Sequence, residues 1–444
     1  MSPASAPEAD ASHCLEPRWV LPMDPGSAVL EGHAVVLVGP RIAAVLPRAE
    51  ARARFPGAAR VSLPSHAVLP GLINLHTHAA MALLRGMADD LPLATWLADH
   101  IWPAEGRLMS DAFVHDGTLL AAAEMLRGGV TCFHDMYFFP DAAARAARTA
   151  GIRAVLGLVV LEFPTPYASD AAAYLARGRE VQAALADDPL IATAVAPHAP
   201  YTVGDGSFRA ACELADAHGL PLHVHLHETE REIQDSLDAH GRRPLARLDA
   251  LGAVGPRLIA AHGVHLTDAE MDLLAERGAH VAHCPAANLK LASGLAPVAA
   301  LRARGVNVGI GTDGAASNNR LDMLSELRLT ALLAKGVAGR ADALPAHEVL
   351  AMATCDAARA LGLGSRIGAL RAGLDADVIA VDLGASELQP CYDPVSHLVY
   401  AAGREHVTHV WVRGRPVVAG GRLQTIDPGD LTERAETWRR RVRP

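Results

Sequence analysis

Ala67-Val-Leu-Pro-Gly-Leu-Ile-Asn-Leu-His-Thr-His78 is the stretch from which the rest of this chain is read. Its apolar run, 67–75, reads as a β-strand that delivers two imidazoles at its C-terminal end. Side chains on a strand alternate between faces, so His76 and His78 point the same way. Two imidazoles on one face are half of a metal site. The other half follows further along, each part behind its own short apolar run. It consists of a His within His225-Leu-His-Glu-Thr229, of His262 in Ala-His-Gly, and of Asp313 in Gly-Thr-Asp-Gly. A lone His-x-His is ordinary surface sequence. Four such elements in series are not.

The same rhythm fills the middle of the chain. Apolar strands are expected at 70–75, 130–135, 153–160, 191–196, 221–226, 257–261, 279–282 and 306–311. Ala-rich amphipathic helices lie between them, among them 111–128, 170–186, 207–218 and 230–240. Eight strands, each followed by helix or loop, predict an α/β fold of the (β/α)8 TIM-barrel type. Active sites in such barrels sit at the C-terminal strand ends, where these motifs fall. The segment after the first strand, 79–110, is long, carries Trp96, Trp102 and Glu105, and is placed to roof a substrate.

The two ends of the chain look different. Residues 33–47 alternate around Gly39-Pro40 and read as a hairpin, and 377–382 and 409–413 read as further strands. The expected organisation is residues 1–68 as the N-terminal part of a small composite β-sandwich and 69–368 as the barrel. Residues 369–444 complete the sandwich and add a terminal helix.

Composition narrows the function classes. The chain has 444 residues, half of them apolar and 20% charged, enough for a large core and a smaller one. A formal charge of −9 excludes a general binder of phosphate backbones, so no nucleic-acid partner is expected. Six cysteines occur without Cys-x-x-Cys spacing, which points to reduced thiols and a cytoplasmic setting. Residues 1–17 lack the basic flank and apolar centre of a leader. No apolar stretch reaches the roughly 18–20 residues that span a bilayer, so no membrane partner is expected.

Zinc favours imidazole nitrogen and carboxylate oxygen, and a catalytic site keeps one position for water. His76, His78, His225 and Asp313 would surround one divalent ion, zinc first, although iron, cobalt and manganese also suit these ligands. His223, His225 and His227 share one strand face, so spacing alone does not choose among them. His225 is preferred because Glu228-Thr229 follows it. Glu228 lies just past the strand end, where a carboxylate can shuttle protons. His262 could bond the water or a developing oxyanion, and Asp313 could accept a proton. His198, in Ala-Pro-His-Ala-Pro, closes the fourth strand and can touch substrate. His265 and His283 read as structural, Asp89-Asp90 as a loop pair, and Cys284 as a small buried residue.

Six segments now stand together: PGLINLHTHAAMALLRGMADDLP (70–92), APHAPYT (196–202), HLHET (225–229), AAHGVHL (260–266), HCPAANLKLASG (283–294) and GTDGAASNN (311–319). They resemble the amidohydrolase superfamily, in particular the branch that deaminates 5′-methylthioadenosine and S-adenosylhomocysteine, and more loosely the triazine hydrolases. The resemblance covers the whole barrel and implies the composite β-sandwich beside it. It implies His76, His78, His225 and Asp313 as metal ligands and His262 as the group that orients the hydrolytic water. Glu228 would be the proton shuttle and would contact the ring nitrogen next to the attacked carbon. Glu105 would hold the ribose hydroxyls with His198 nearby, and Trp96 would cover the nucleoside. Water activated at the metal would attack the amino-bearing carbon of adenine, and ammonia would leave. The branch often forms homodimers or homotetramers.

Two departures sharpen this. Binuclear relatives bridge their metals with a modified lysine from the fourth strand, and here no lysine precedes Lys290, so one ion is expected. Members that handle S-adenosylhomocysteine use arginine just after the third strand for the amino-acid carboxylate. No arginine lies between Arg153 and Arg177, and the apolar stretch 158–163 better suits a thiomethyl group. The expected substrate is therefore 5′-methylthioadenosine, ahead of adenosine and S-adenosylhomocysteine. A free base such as guanine, or a triazine, is the competing substrate class, but neither needs Glu105 and His198. A non-catalytic scaffold on this barrel would have lost ligands, and this chain keeps them.

Overall fold

The computed structural model describes residues 12–24 and 26–442. The apolar run 67–75 is two strands in two sheets, not one. Ala59–Pro70 belongs to an outer sheet and Leu72–Thr77 to the barrel. They part at Gly71, where a Cβ would lie 2.0 Å from Thr131 Oγ1 of the neighbouring barrel strand. Residues 66–77 are all buried, so no polar residue marks the boundary.

The barrel strands are Leu72–Thr77, Val130–Asp135, Arg153–Val160, Ile191–Pro197, Leu222–Leu226, Leu258–His262, His280–His283 and Asn307–Ile310. They form one eight-stranded sheet in sequence order, with every ladder parallel. The ring closes where Asp313 N–H donates to His76 O at 3.0 Å and Thr77 Oγ1 donates to Asp313 O at 2.9 Å. At the lower end Ile73, Leu75, Val155 and Ile259 pack with Ala357 and Leu361, so the helix Cys355–Ala360 and its following residue plug the barrel floor. The polar histidine layers lie above this plug. Helices Met323–Ala338 and Ala346–Met352 follow the eighth strand.

The outer sheet has nine strands drawn from both ends of the chain. The expected hairpin is His33–Val38 with Arg41–Pro47. The two ends join where Val378–Asp382 runs antiparallel to Ala59–Pro70, with Val378 opposite Pro70 and Asp382 opposite His66. Leu15, Val35, Ile42, Val68, Val378 and Trp411 share one buried cluster, so the termini fold around a common core as a composite β-sandwich. The reading of residues 1–17 falls outside the described residues as far as residue 11. Among the described residues no helix is long and apolar enough to cross a membrane.

A buried ion pair fastens sandwich to barrel. Arg153, at the start of the third barrel strand and 2% exposed, donates through Nε to Asp377 Oδ2 at 2.9 Å and through Nη2 to Asp375 Oδ2 at 3.0 Å. This arginine is therefore committed far from the catalytic end. Arg153→Met would leave two buried carboxylates short of their cation, at an expected cost of about 3–5 kcal/mol. Denaturant unfolding would show the loss, while kcat of the folded fraction stays unchanged.

Candidate active site

The C-terminal strand ends bring together the side chains that the sequence singles out. Nε2 of His76 and of His78 lie 3.4 and 3.2 Å from Asp313 Oδ1, and Nε2 of His78 lies 3.3 Å from Nε2 of His225. The opposite ring nitrogens are already engaged. His78 Nδ1–H donates to Met136 O at 2.6 Å, and His225 Nδ1–H to His198 O at 2.9 Å. His76 Nδ1 meets His223 Nε2 at 2.9 Å. Such bonds leave the Nε2 lone pairs aimed at one centre.

That centre fits a divalent metal. His76 Nε2 is buried and has no hydrogen-bond partner, a costly state for a polar atom unless something binds it. His76, His78 and His225 offer ligand atoms within 4.8 Å of one another, and so do His76, His262 and Asp313. Burial lowers the His76 pKa to about 4, which keeps that ring neutral and able to ligate. Burial and the adjacent imidazoles, His198 first, also hold His225 well below its usual range. Burial pulls His78 the same way, but the Asp313 carboxylate outweighs it and lifts His78 to about 9. Ser317 Oγ donates to Asp313 Oδ2 at 2.6 Å and fixes the carboxylate. Gly311 is required beside it, since a Cβ there would come within 2.8 Å of the His76 backbone.

The neighbouring histidines separate by depth. His223 sits one strand layer lower, bonded to His76 and stacked on His134 with ring centroids 3.8 Å apart. His227 turns away at φ +56°, and its Nε2 accepts the Leu245 N–H at 3.0 Å. His262 and Asp313 also take left-handed backbone, at φ +73° and +61°. Strained non-glycine residues cluster where the fold must aim a side chain. His265 Nε2 bonds Ser293 O at 2.6 Å, Cys284 is buried, and Asp89 pairs with Lys290 at 2.6 Å.

Glu228 is buried, with Oε2 3.9 Å from His262 Nε2. Burial raises its pKa, with His262 opposing, a direction that favours the protonated carboxyl. Asn288 Oδ1 meets His262 Nδ1 at 2.8 Å and orients that ring.

A cavity of about 320 Å³ opens onto these groups. The segment after the first strand supplies one wall through Trp96, Trp102 and Glu105. Trp96 begins a π-helical turn, Trp96–Ile101, and is 5% exposed. Glu105 is buried and its Oε1 accepts the Tyr137 hydroxyl at 2.6 Å. Burial raises Glu105 to about 7. His198 lines the opposite wall and bonds Thr202 Oγ1 at 3.0 Å. The apolar stretch 158–163 contributes only alternate residues. Val159, Leu161 and Phe163 line the cavity, while Leu158 packs outward against Gly178 of the helix Ala171–Leu185. Neither arginine nor lysine lines the cavity among the described residues.

Sequence reading missed Tyr137, Ser317 and Asn288, as well as His223 in its bond to His76. Ser317 and Asn288 sit inside quoted motifs. Tyr137 follows a strand with no pattern to mark it.

Known proteins bear on this geometry. A curated 5-methylthioadenosine/S-adenosylhomocysteine deaminase of Teredinibacter turnerae is 44% identical over 430 residues, 97% of each chain. The crystal structure of an adenosine deaminase from Xanthomonas campestris with bound zinc superposes with a TM-score of 0.96 at 52% identity, covering 98% of this chain and 99% of that one. An atrazine chlorohydrolase from Arthrobacter aurescens complexed with zinc superposes at 0.86 with 25% identity, over 96% of this chain and 99% of that one. The sequence pattern of the amidohydrolase family matches residues 67–417. A match that runs through the whole barrel and into the sheet beyond it makes this chain a member of the amidohydrolase family.

Proposed function

We propose that the protein hydrolytically deaminates an adenine nucleoside, above all 5′-methylthioadenosine, giving 5′-methylthioinosine and ammonia. One observation carries the reading. A single cavity joins the histidine–aspartate centre and Glu228 to a buried Glu105, between walls that no arginine or lysine lines among the described residues. Relatives named for this activity support it. The absence of a cation favours a thiomethyl substituent over an amino-acid carboxylate.

His76, His78, His225 and Asp313 would hold one divalent ion, zinc first, and His262 faces the same centre. An ion bound there supplies Lewis-acid activation of water. Glu228 protonates the purine ring nitrogen beside the attacked carbon and passes protons to the departing amine. His262 orients the water. Trp96 closes over the base, and His198 flanks the sugar. Glu105 accepts the ribose hydroxyls through Oε2, the oxygen that Tyr137 leaves free.

The Glu105 assignment separates this reading from a free-base or triazine hydrolase. Glu105→Gln should lower kcat/KM on 5′-methylthioadenosine about 10–100-fold, the worth of hydrogen bonds to a charged acceptor. Turnover of a free base would be unaffected. The ionised carboxylate is the better acceptor and Glu105 titrates at about 7. KM for the nucleoside should therefore rise as pH falls through neutrality, and this rise should vanish in Glu105→Gln. Equal losses on nucleoside and free base would remove Glu105 from ribose binding.

A further inference from the structure

The helix after the fifth barrel strand opens with Thr229-Glu-Arg-Glu232, a capping-box sequence. In an ordinary box the cap hydroxyl accepts the N3 amide, and the N3 carboxylate turns back to the cap amide. This chain holds one of that kind at Thr267 and Glu270, where Glu270 Oε2 accepts the Thr267 N–H at 2.9 Å. The Thr229 box keeps only its first half, with Thr229 Oγ1 accepting the Glu232 N–H at 3.2 Å. The Glu232 carboxylate passes its own cap and takes the two preceding amides. Oε1 accepts His227 N–H at 3.0 Å and Oε2 accepts Glu228 N–H at 2.8 Å. Glu232 is 5% exposed, so both bonds form out of water. They span the peptide where His227 adopts its left-handed conformation, a state that persists only when neighbours over-determine it.

We infer that Glu232 is a positioning residue that clamps the His227–Glu228 backbone and so aims the Glu228 carboxyl. The inference rests on Glu228 being the proton shuttle of the proposed function. Glu232 acts through Glu228 and not on substrate. It does not line the cavity. Displacing a shuttle by about 1 Å costs rate and leaves binding alone.

The test uses the metal-loaded enzyme with 5′-methylthioadenosine. Glu232→Ala should lower kcat about 100-fold with KM held within about threefold and metal content unchanged. In a Glu228→Gln background the same substitution should cost nothing further, because its only route to the reaction is gone. Backbone amide exchange at His227 and Glu228 should accelerate in Glu232→Ala. Glu232→Gln keeps the volume but one acceptor oxygen, should fall between, and serves if the alanine variant does not fold. Unchanged kcat in a folded variant, or a full additive loss in the Glu228→Gln background, would overturn the clamp. If the wild-type enzyme deaminates no nucleoside, the proposed function fails on its own. The amide exchange still decides the clamp, since unaltered exchange at both positions would sink it.

Discussion

Glu228→Gln should reduce kcat on 5′-methylthioadenosine by about 10²–10⁴-fold, the range that a positioned acid–base group contributes. Gln keeps the shape but can neither give nor take a proton at neutral pH. Glu228 is buried, with Oε2 3.9 Å from His262 Nε2, and burial raises its pKa, which favours the protonated carboxyl. The bound metal should persist in the variant, because the His76–His78–His225–Asp313 ring does not include Glu228. KM should change little, since the group works on the transferred protons. Steady-state kinetics alongside metal analysis check both halves. A variant that keeps most of its kcat would assign the shuttle elsewhere, with His262 first in line.

Asp313→Ala should abolish both metal retention and turnover. Asp313 is the only carboxylate in the ring, and Oδ1 sits within 3.4 Å of two imidazole nitrogens. Without it three neutral donors remain, and the charge that balances a divalent cation is gone. The hydrogen bond that closes the barrel uses the Asp313 backbone, not its side chain, so the fold should survive the substitution. Equilibrium dialysis against zinc would read the affinity directly, and circular dichroism would show the intact barrel. Chelation of the wild-type protein should mimic the loss, and added zinc should reverse it. A folded Asp313→Ala protein that still binds the ion tightly would shift the ligand set toward His262.

The barrel was legible because its strands are buried on both faces and read as unbroken apolar runs. Val130–Asp135 and Arg153–Val160 stand at the predicted residues. The same property hid the division at Gly71, since two buried strands in different sheets leave no polar residue between them. The metal-type centre was legible as histidines and an aspartate at strand ends, but the alternation of His223, His225 and His227 could not rank them. Depth does that, because His223 belongs to the layer beneath. Apolar character alone overstated the wall at 158–163, where strand alternation turns Leu158 outward. The redirection of the Glu232 carboxylate depends on the left-handed turn at His227, which no local pattern announces.

The zinc-loaded enzyme should remove the adenine amino group by hydrolysis, with preference set by a cavity that no arginine or lysine lines among the described residues. The most direct measurement follows the ultraviolet spectra of 5′-methylthioadenosine, adenosine and S-adenosylhomocysteine with zinc-loaded enzyme. The adenine spectrum should convert to a hypoxanthine spectrum, with the highest kcat/KM on 5′-methylthioadenosine. A higher kcat/KM on S-adenosylhomocysteine would contradict the reading of the cavity. No spectral change with any of the three, from protein holding its metal, would contradict nucleoside deamination itself.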